Sequence, residues 1–331
     1  MNLPALPVPC VRQLVVDSES DGQRVDNYLF RELKGVPKTR VYRIIRSGEV
    51  RINKKRVQAD TRVHAGDVLR IPPVRQAADE APSERSAPAR EFPVLWEDDG
   101  LLAIDKPAGV AVHGGSGVSF GVIEQLRQAR PHQPLLELVH RLDRETSGIL
   151  LIAKKKSALR HLQDQFRERV TGKTYLALVS GVWPAQRKVI DVPLRKYLLP
   201  DGERRVRVTD ANDPEGMRSI SLVRSLGPVA APTTAGGVGS GPYSLLAVTI
   251  KTGRTHQIRV HLAQAGHPIV GDDKYGDFDL NRELQRQGLS RMFLHAWQLT
   301  FRHPSGEHEV VLKSPLPAEL SRWGNISSFF D

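Results

Sequence analysis

The sequence predicts an α+β protein in two parts, a small basic unit ahead of a larger mixed one. Three observations carry that expectation. Beyond residue 91, strand-like and helical runs mix without strict alternation, which argues against a doubly wound parallel sheet. Cations are concentrated between residues 34 and 56. The stretch QAADEAPSERSAPAR, residues 76–90, has no periodicity and reads as a flexible linker between the parts.

In the small unit, Val25, Leu29, Phe30 and Leu33 recur at helical spacing. A turn around Gly35–Pro37 follows. Val41, Ile44 and Ile45 then mark one face of a second helix, with Arg40, Arg43 and Arg46 pointing elsewhere. Gly48 is a natural stop for that helix. Val50, Ile52 and Val57 alternate around Asn53–Lys54, the pattern of a hairpin. Leu69 and Ile71 predict a closing strand. Residues 20–75 therefore form one small domain, and residues 1–19 an N-terminal tail.

In the large part, 91–331, apolar runs at Leu101–Ile104, Ile149–Ala153, Tyr175–Val179 and Leu245–Ile250 predict strands. Helical patterns fall at 157–168, through Leu159, Leu162 and Phe166, and near 257–265. The Gly- and Pro-rich stretch LGPVAAPTTAGGVGSGP, residues 226–242, predicts a disordered surface loop.

Bulk properties narrow the function. Of 331 residues, 48 are Lys or Arg and 37 are Asp or Glu, a net charge of +11. That excess points to a polyanionic partner, nucleic acid before membrane. Residues 34–56 concentrate it: Lys34, Lys38, Arg40, Arg43, Arg46, Arg51, Lys54, Lys55 and Arg56 stand against the single acid Glu49. A cationic face of this kind suits phosphates. The one cysteine, Cys10, permits no internal disulfide, which fits a reducing compartment. MNLPALPVPC does not read as a secretory signal. The longest uncharged run, Ser225 to Ile250, is too rich in Gly, Pro, Thr and Ser for a membrane span. A cytoplasmic protein with no membrane association is expected.

Several chemistries fall away. HGGSGVSFG, residues 113–121, lacks both the Gly-Lys-Ser/Thr of a phosphate loop and the dinucleotide glycine spacing. His256 and His261 are five apart, about 140° around a helix, so they do not share a face. With one cysteine and no paired-histidine metal motif, no metal is expected. Three segments remain: Asp105-Lys106-Pro107, VHRLDRETSGILLIAKK (139–155) and TGRTHQIRVHLAQAGHP (252–268). Each sets charged or polar groups at the edge of an apolar element. Asp143, among arginines, suits a covalent nucleophile or a base. A nearby arginine favours the ionised form of a carboxylate. Glycoside hydrolysis needs a second carboxylate, and the only nearby acid is Glu145. A transfer that recaptures its leaving group, such as isomerisation of a nucleoside, needs no such partner.

The segments LLAIDKPAGVAVHGGSG, ELVHRLDRETSGILLIAKK, GKTYLALVSG and IKTGRTHQIRVHLAQAGHPIVGDDKYG together resemble the pseudouridine synthases of the large-subunit ribosomal RNA group. Ahead of them, GQRVDNYLFRELKGVPKTRVYRIIRSGEVRINKKRV and HAGDVLRIP resemble the alpha-L RNA-binding motif. The resemblance implies a mixed, mainly antiparallel catalytic sheet behind a small α+β RNA-binding domain. It implies isomerisation of uridines in 23S ribosomal RNA, or in a large-subunit precursor, by a monomer without a cofactor. Asp143 matches the family's catalytic aspartate, attacking the sugar carbon or deprotonating the sugar. Tyr175 matches the tyrosine that packs on the base and serves as a base at C5. Arg259 matches the arginine paired with the aspartate. Arg141, with His140 beside it, matches the residue that enters the helix as the uridine leaves. Lys106, Ile258, Leu262, Thr255 and His256 are expected to support or wall the pocket. GMRSISLVRSL, residues 216–226, departs from the family pattern and bears on target choice. A transfer-RNA target and a non-catalytic assembly factor are the competing readings.

Overall fold

The computed structural model describes residues 11–33, 36–74, 87–115, 119–229, 242–306, 308–321 and 323. The chain divides into two compact units between Ser86 and Ala87.

The first unit contains β1 (Arg12–Val15), α1 (Val25–Glu32), α2 (Lys38–Arg46), β2 (Arg51–Ile52), β3 (Lys55–Arg56) and β4 (Val68–Ile71). Its antiparallel sheet runs β1-β4-β2-β3. Val25, Leu29 and Leu33 pack on Val41, Ile44 and Ile45, as their spacing predicts. Gly48 stops α2 with φ +75. Asn53 and Lys54 have φ 47 and 68, the paired positive values of a two-residue hairpin turn. Residues 12–15, expected to lie in a tail, instead form the edge strand β1 against β4. Four residues carry too weak an alternation to announce a strand without its partner.

The second unit contains β5 (Val94–Glu97), β6 (Leu101–Lys106), α3 (Val122–Ala129), β7 (Glu137–Leu138), β8 (Ser147–Ala153), α4 (Lys156–Glu168) and β9 (Gly172–Ser180). There follow β10 (Val189–Asp191), β11 (Leu194–Leu198), β12 (Arg204–Val208), β13 (Ile220–Val229) and β14 (Tyr243–Ile250). The chain continues through α5 (Gln257–Gln264), α6 (Phe278–Arg286), β15 (Leu294–Arg302) and β16 (Glu309–Lys313). A large sheet runs β10-β13-β14-β9-β15-β8-β6-β5, with β16 on β15 and β7 on β8. All its pairings are antiparallel except β15 with β8. The expected mixed, mainly antiparallel α+β architecture is present.

Alternation in the central strands explains the layers. Leu102, Ile104, Leu150 and Ile152 face α3 through Val122, Ile123 and Leu126. Leu101, Ala103, Ile149 and Leu151 face α4 through Ala158 and Leu162. Every residue of β8 is buried, as a strand covered on both faces requires. On the far half, Ala177, Leu246 and Val248 pack on Ile258 and Leu262 of α5. Tyr175 touches both the α3 and the α5 clusters, so it lies at their seam.

Two expectations need correction. Residues 87–90, assigned to the linker, pack on the second unit: Ala87 is buried, and the Arg90 amide donates to the Gln125 carbonyl at 3.3 Å. The remainder of that linker through Ser86 lies outside the described residues, apart from the division noted above. Leu226–Val229, assigned to a loop, extend β13 past a register shift between Ser225 and Gly227. Residues 230–241 lie outside the described residues.

Candidate active site

Asp143 lies in the turn between β7 and β8, where the Thr146 amide donates to its carbonyl at 3.1 Å. Its carboxylate does not face the arginine next to it in sequence. Arg144 is exposed and pairs with Glu145. The cation facing Asp143 comes from α5: Arg259 Nη1 lies 3.8 Å from Asp143 Oδ2. His256 Nε2 is 3.9 Å from the same oxygen.

Arg259 is almost wholly buried and locked from behind. Its Nε and Nη2 donate to the two carboxylate oxygens of Asp272 at 2.7 and 2.6 Å, and Nη2 also reaches Asp273 at 3.1 Å. Burial alone would lower its pKa, but the Asp272 pair outweighs this and raises it. For Asp272 the balance is the mirror image. Burial alone would raise its pKa, while Arg259 and the amides of Lys274 and Tyr275 hold it low. The pair is a charge-assisted fork, and it leaves Nη1 free to face Asp143.

Asp143 and Arg259 share a cavity of about 110 Å³ with Arg141, Thr146, Tyr175, Thr255, His256 and Ile258. Tyr175 sits on β9 directly across from Val248 and Ala296, and Ala296 lies across from Gly148 of β8. The aromatic ring thus has small neighbours on the β8 side. Burial, and then the charge of Asp143, raise the Tyr175 pKa, so its phenol is protonated in the resting protein. Arg141 stands exposed at the cavity's edge. His256 adopts φ 52 ahead of α5, and its Nδ1 lies 2.8 Å from the Tyr275 hydroxyl. Burial lowers its pKa.

Lys106 does not touch solvent. Its Nζ donates to the carbonyls of Pro107, Val110 and Arg144 at 2.8, 2.8 and 3.1 Å. The last belongs to the Asp143 turn, so Lys106 ties that turn to the end of β6. Burial pulls its pKa down to about 7. Full burial rules out a phosphate contact in this conformation.

Two expected site residues lie elsewhere: His140, expected beside Arg141, and Leu262, expected in the pocket wall. His140 stacks on Phe166 with ring centroids 4.8 Å apart, and its Nε2 accepts from the Leu151 amide at 3.1 Å. It faces α4 through Phe166, while the next residue, Arg141, faces the cavity. Leu262 is fully buried in the α5 core. It lies one helical turn beyond Ile258, past the cavity wall. Asp272 and Tyr275 belong to the site although only their segment, GDDKYG, drew attention in the sequence. Among the described residues, no group of three or more His, Cys, Asp or Glu is placed to hold a metal ion.

In the first unit, Arg43, Arg46, Arg51, Lys54, Lys55 and Arg56 are exposed and Arg40 is half-buried. None has a carboxylate partner among the described residues. Lys38 opens α2. Lys34 lies outside the described residues.

The catalytic unit and its carboxylate–arginine cavity define the chain as a member of the pseudouridine synthase family, an isomerase, preceded by an S4 domain. The family model for RNA pseudouridylate synthase matches residues 100–264, and that for the S4 domain matches residues 23–69. The chain is similar to ribosomal large subunit pseudouridine synthase C of Haemophilus influenzae, 49% identical over 94% of this chain and 93% of that protein. The protein of the same name from Escherichia coli K12 is 47% identical over 95% and 96%. Among solved structures, human RNA pseudouridylate synthase domain containing 4 superposes with a TM-score of 0.53 at 27% identity, over 69% of this chain and 90% of that one. Human RNA pseudouridylate synthase domain containing 1 shares the fold, with a TM-score of 0.56 at 24% identity over 72% and 95%.

Proposed function

We propose that this protein converts specific uridines of 23S ribosomal RNA, or of its large-subunit precursor, to pseudouridine. The observation that carries the reading is the carboxylate of Asp143 at 3.8 Å from an arginine that Asp272 holds rigid, on a cavity walled by Tyr175. The relatives named for the large ribosomal subunit support that target, and the cations of the S4 domain support RNA docking. The bond from N1 of uracil to C1′ breaks, the base turns, and C5 joins C1′. Asp143 begins this by attacking C1′ or by removing a sugar proton. Arg259 orients it and holds the opposing charge. Arg141 enters the space that the extruded uridine leaves, since a stacked base is out of reach.

Tyr175 packs against the detached uracil. To accept the C5 proton it must first lose its own, and N1 of the detached uracil, which carries a proton in the product, takes it. Either route removes the negative charge of Asp143, one of the two causes that raise the phenol, and so eases that loss. The protein acts as a cytoplasmic monomer away from membranes. No described helix is long and apolar enough to cross one.

The test is tritium release from ribosomal RNA labelled at uridine C5. Asp143→Asn is expected to abolish release while leaving RNA affinity within about threefold, a change of under 1 kcal/mol. A large loss of affinity would remove the chemical role. Mapping pseudouridines in ribosomal RNA from cells lacking the protein identifies its targets.

A further inference from the structure

The catalytic cleft does not end at Arg254. Gly253, Arg254 and Thr255 also border a second cavity of about 100 Å³. Its other walls are Leu194 and Lys196 of β11, Val206 of β12, and Met217. None of these four touches the uridine cavity, so the reaction as derived does not use them.

The wall chemistry is distinctive. Leu194, Val206 and Met217 give an apolar side. Met217 is 43% exposed, although its main chain is pinned to Leu194 by hydrogen bonds of 2.9 and 3.0 Å. A solvent-facing thioether on a pinned main chain offers an adaptable apolar contact. Lys196 is exposed, and Arg254 spends only its Nε, on the Arg218 carbonyl at 3.3 Å. Neither cation has a carboxylate partner among the described residues. An apolar side beside two unneutralised cations complements a base and its phosphate.

The wall is also tied to the catalytic centre. The Val206 amide donates to the Tyr275 hydroxyl at 2.9 Å, and that hydroxyl lies 2.8 Å from His256 Nδ1. Arg205 Nη1 donates to the Lys274 carbonyl at 2.7 Å. The β11–β12 hairpin is thereby held against the segment that carries Asp272. Pre-formed cavities of this kind bind at a reduced ordering cost.

We infer that the second cavity receives a nucleotide adjoining the target uridine, its base against Leu194, Val206 and Met217 and its phosphate against Lys196 and Arg254. This rests on the proposed action on RNA. It makes the β11–β12 hairpin a reader of local sequence, through base size and stacking rather than through the uridine itself.

The test uses the full chain and a fragment of large-subunit ribosomal RNA centred on one uridine that the wild type converts. Three tritiated RNAs are compared: intact, abasic at the 5′ neighbour, and abasic at the 3′ neighbour. Met217→Ala is expected to raise KM on the intact RNA about fivefold, with kcat little changed, and to have no effect on one of the abasic RNAs. Lys196→Ala is expected to lower the salt dependence of binding by about one phosphate contact. If Met217→Ala acts equally on all three RNAs, or Lys196→Ala leaves the slope unchanged, the inference is overturned while the isomerase reading stands. If the wild type releases no tritium from any ribosomal RNA, the substrate assignment itself fails first.

Discussion

Arg259 has three acids around it, and their geometry assigns them different tasks. Asp272 takes two of its nitrogens in a fork, so the third is aimed at Asp143. Asp272→Asn leaves a buried guanidinium without its main counter-charge, which costs about 3–5 kcal/mol in such pairs. The expected outcome is a loss of that size in urea unfolding, together with slowed tritium release. A variant of undiminished stability would show that Asp273 suffices. The sequence made Arg259 legible through its motif and left Asp272 unmarked, because an ion pair between residues 13 positions apart, one in α5 and one beyond it, leaves no periodic trace. Only its adjacency to Arg141 places His140 at the site in the sequence, whereas its ring lies against Phe166. Its real environment gives a pH prediction. Burial first, and Lys173 second, lower its pKa to about 4, and its Nε2 must be bare to accept the Leu151 amide. The unfolded chain titrates near 6.5 and so binds more protons between the two values. Stability is therefore full above about pH 6.5 and falls as pH drops toward 4. His295, likewise lowered to about 4 by burial, adds to the same slope. His140→Gln keeps an acceptor but no titrating proton. Its stability difference between pH 7.5 and 4.5 should be smaller than the wild type's by about 2 kcal/mol. An equal difference in urea titrations at the two pH values would refute the assignment.

At the scale of the element, the strands with long apolar runs were legible, and the short or polar ones were not. β6, β8, β9 and β14 announce themselves because central strands are buried on both faces. β10 to β12 are only three to five residues long, and β11 and β12 are interrupted by Lys and Arg, so composition alone reads them as loop. β13 hides its last residues in a Gly-Pro step because a bulge lets the strand pass through it. The glycine five residues after Asp143 has a steric cause. Gly148 has φ +107, and a β-carbon there would lie 2.3 Å from the Ala296 carbonyl oxygen. Only a glycine lets β8 and β15 run parallel so close to the Asp143 turn. Gly148→Ala must separate those strands or strain its backbone, a cost of about 2–4 kcal/mol. Thermal unfolding checks the cost, and activity of the remaining folded fraction checks whether the turn has moved.

At the scale of the whole molecule, the net charge of +11 is divided by task. In the catalytic unit the arginine nearest the reacting carboxylate is neutralised from behind by Asp272, so it serves chemistry rather than docking. In the S4 domain Arg40, Arg43 and Arg46 of α2 and the cations of the following hairpin stand without carboxylate partners among the described residues. The sequence conveyed that contrast through the distribution of charge along the chain, although it could not tell which arginine was locked. Unneutralised cations on a stable scaffold release counterions when they meet phosphate, and the salt dependence of binding counts them. Replacing Arg40, Arg43 and Arg46 together by Gln removes three cations while keeping helix-forming side chains on α2. The slope of log K against log salt should fall by about 2–3, and affinity should fall most at low salt. Turnover at saturating RNA should change little, since none of the three lines the Asp143 cavity. An unchanged slope with full activity would move the docking surface off α2 and leave the isomerase chemistry untouched.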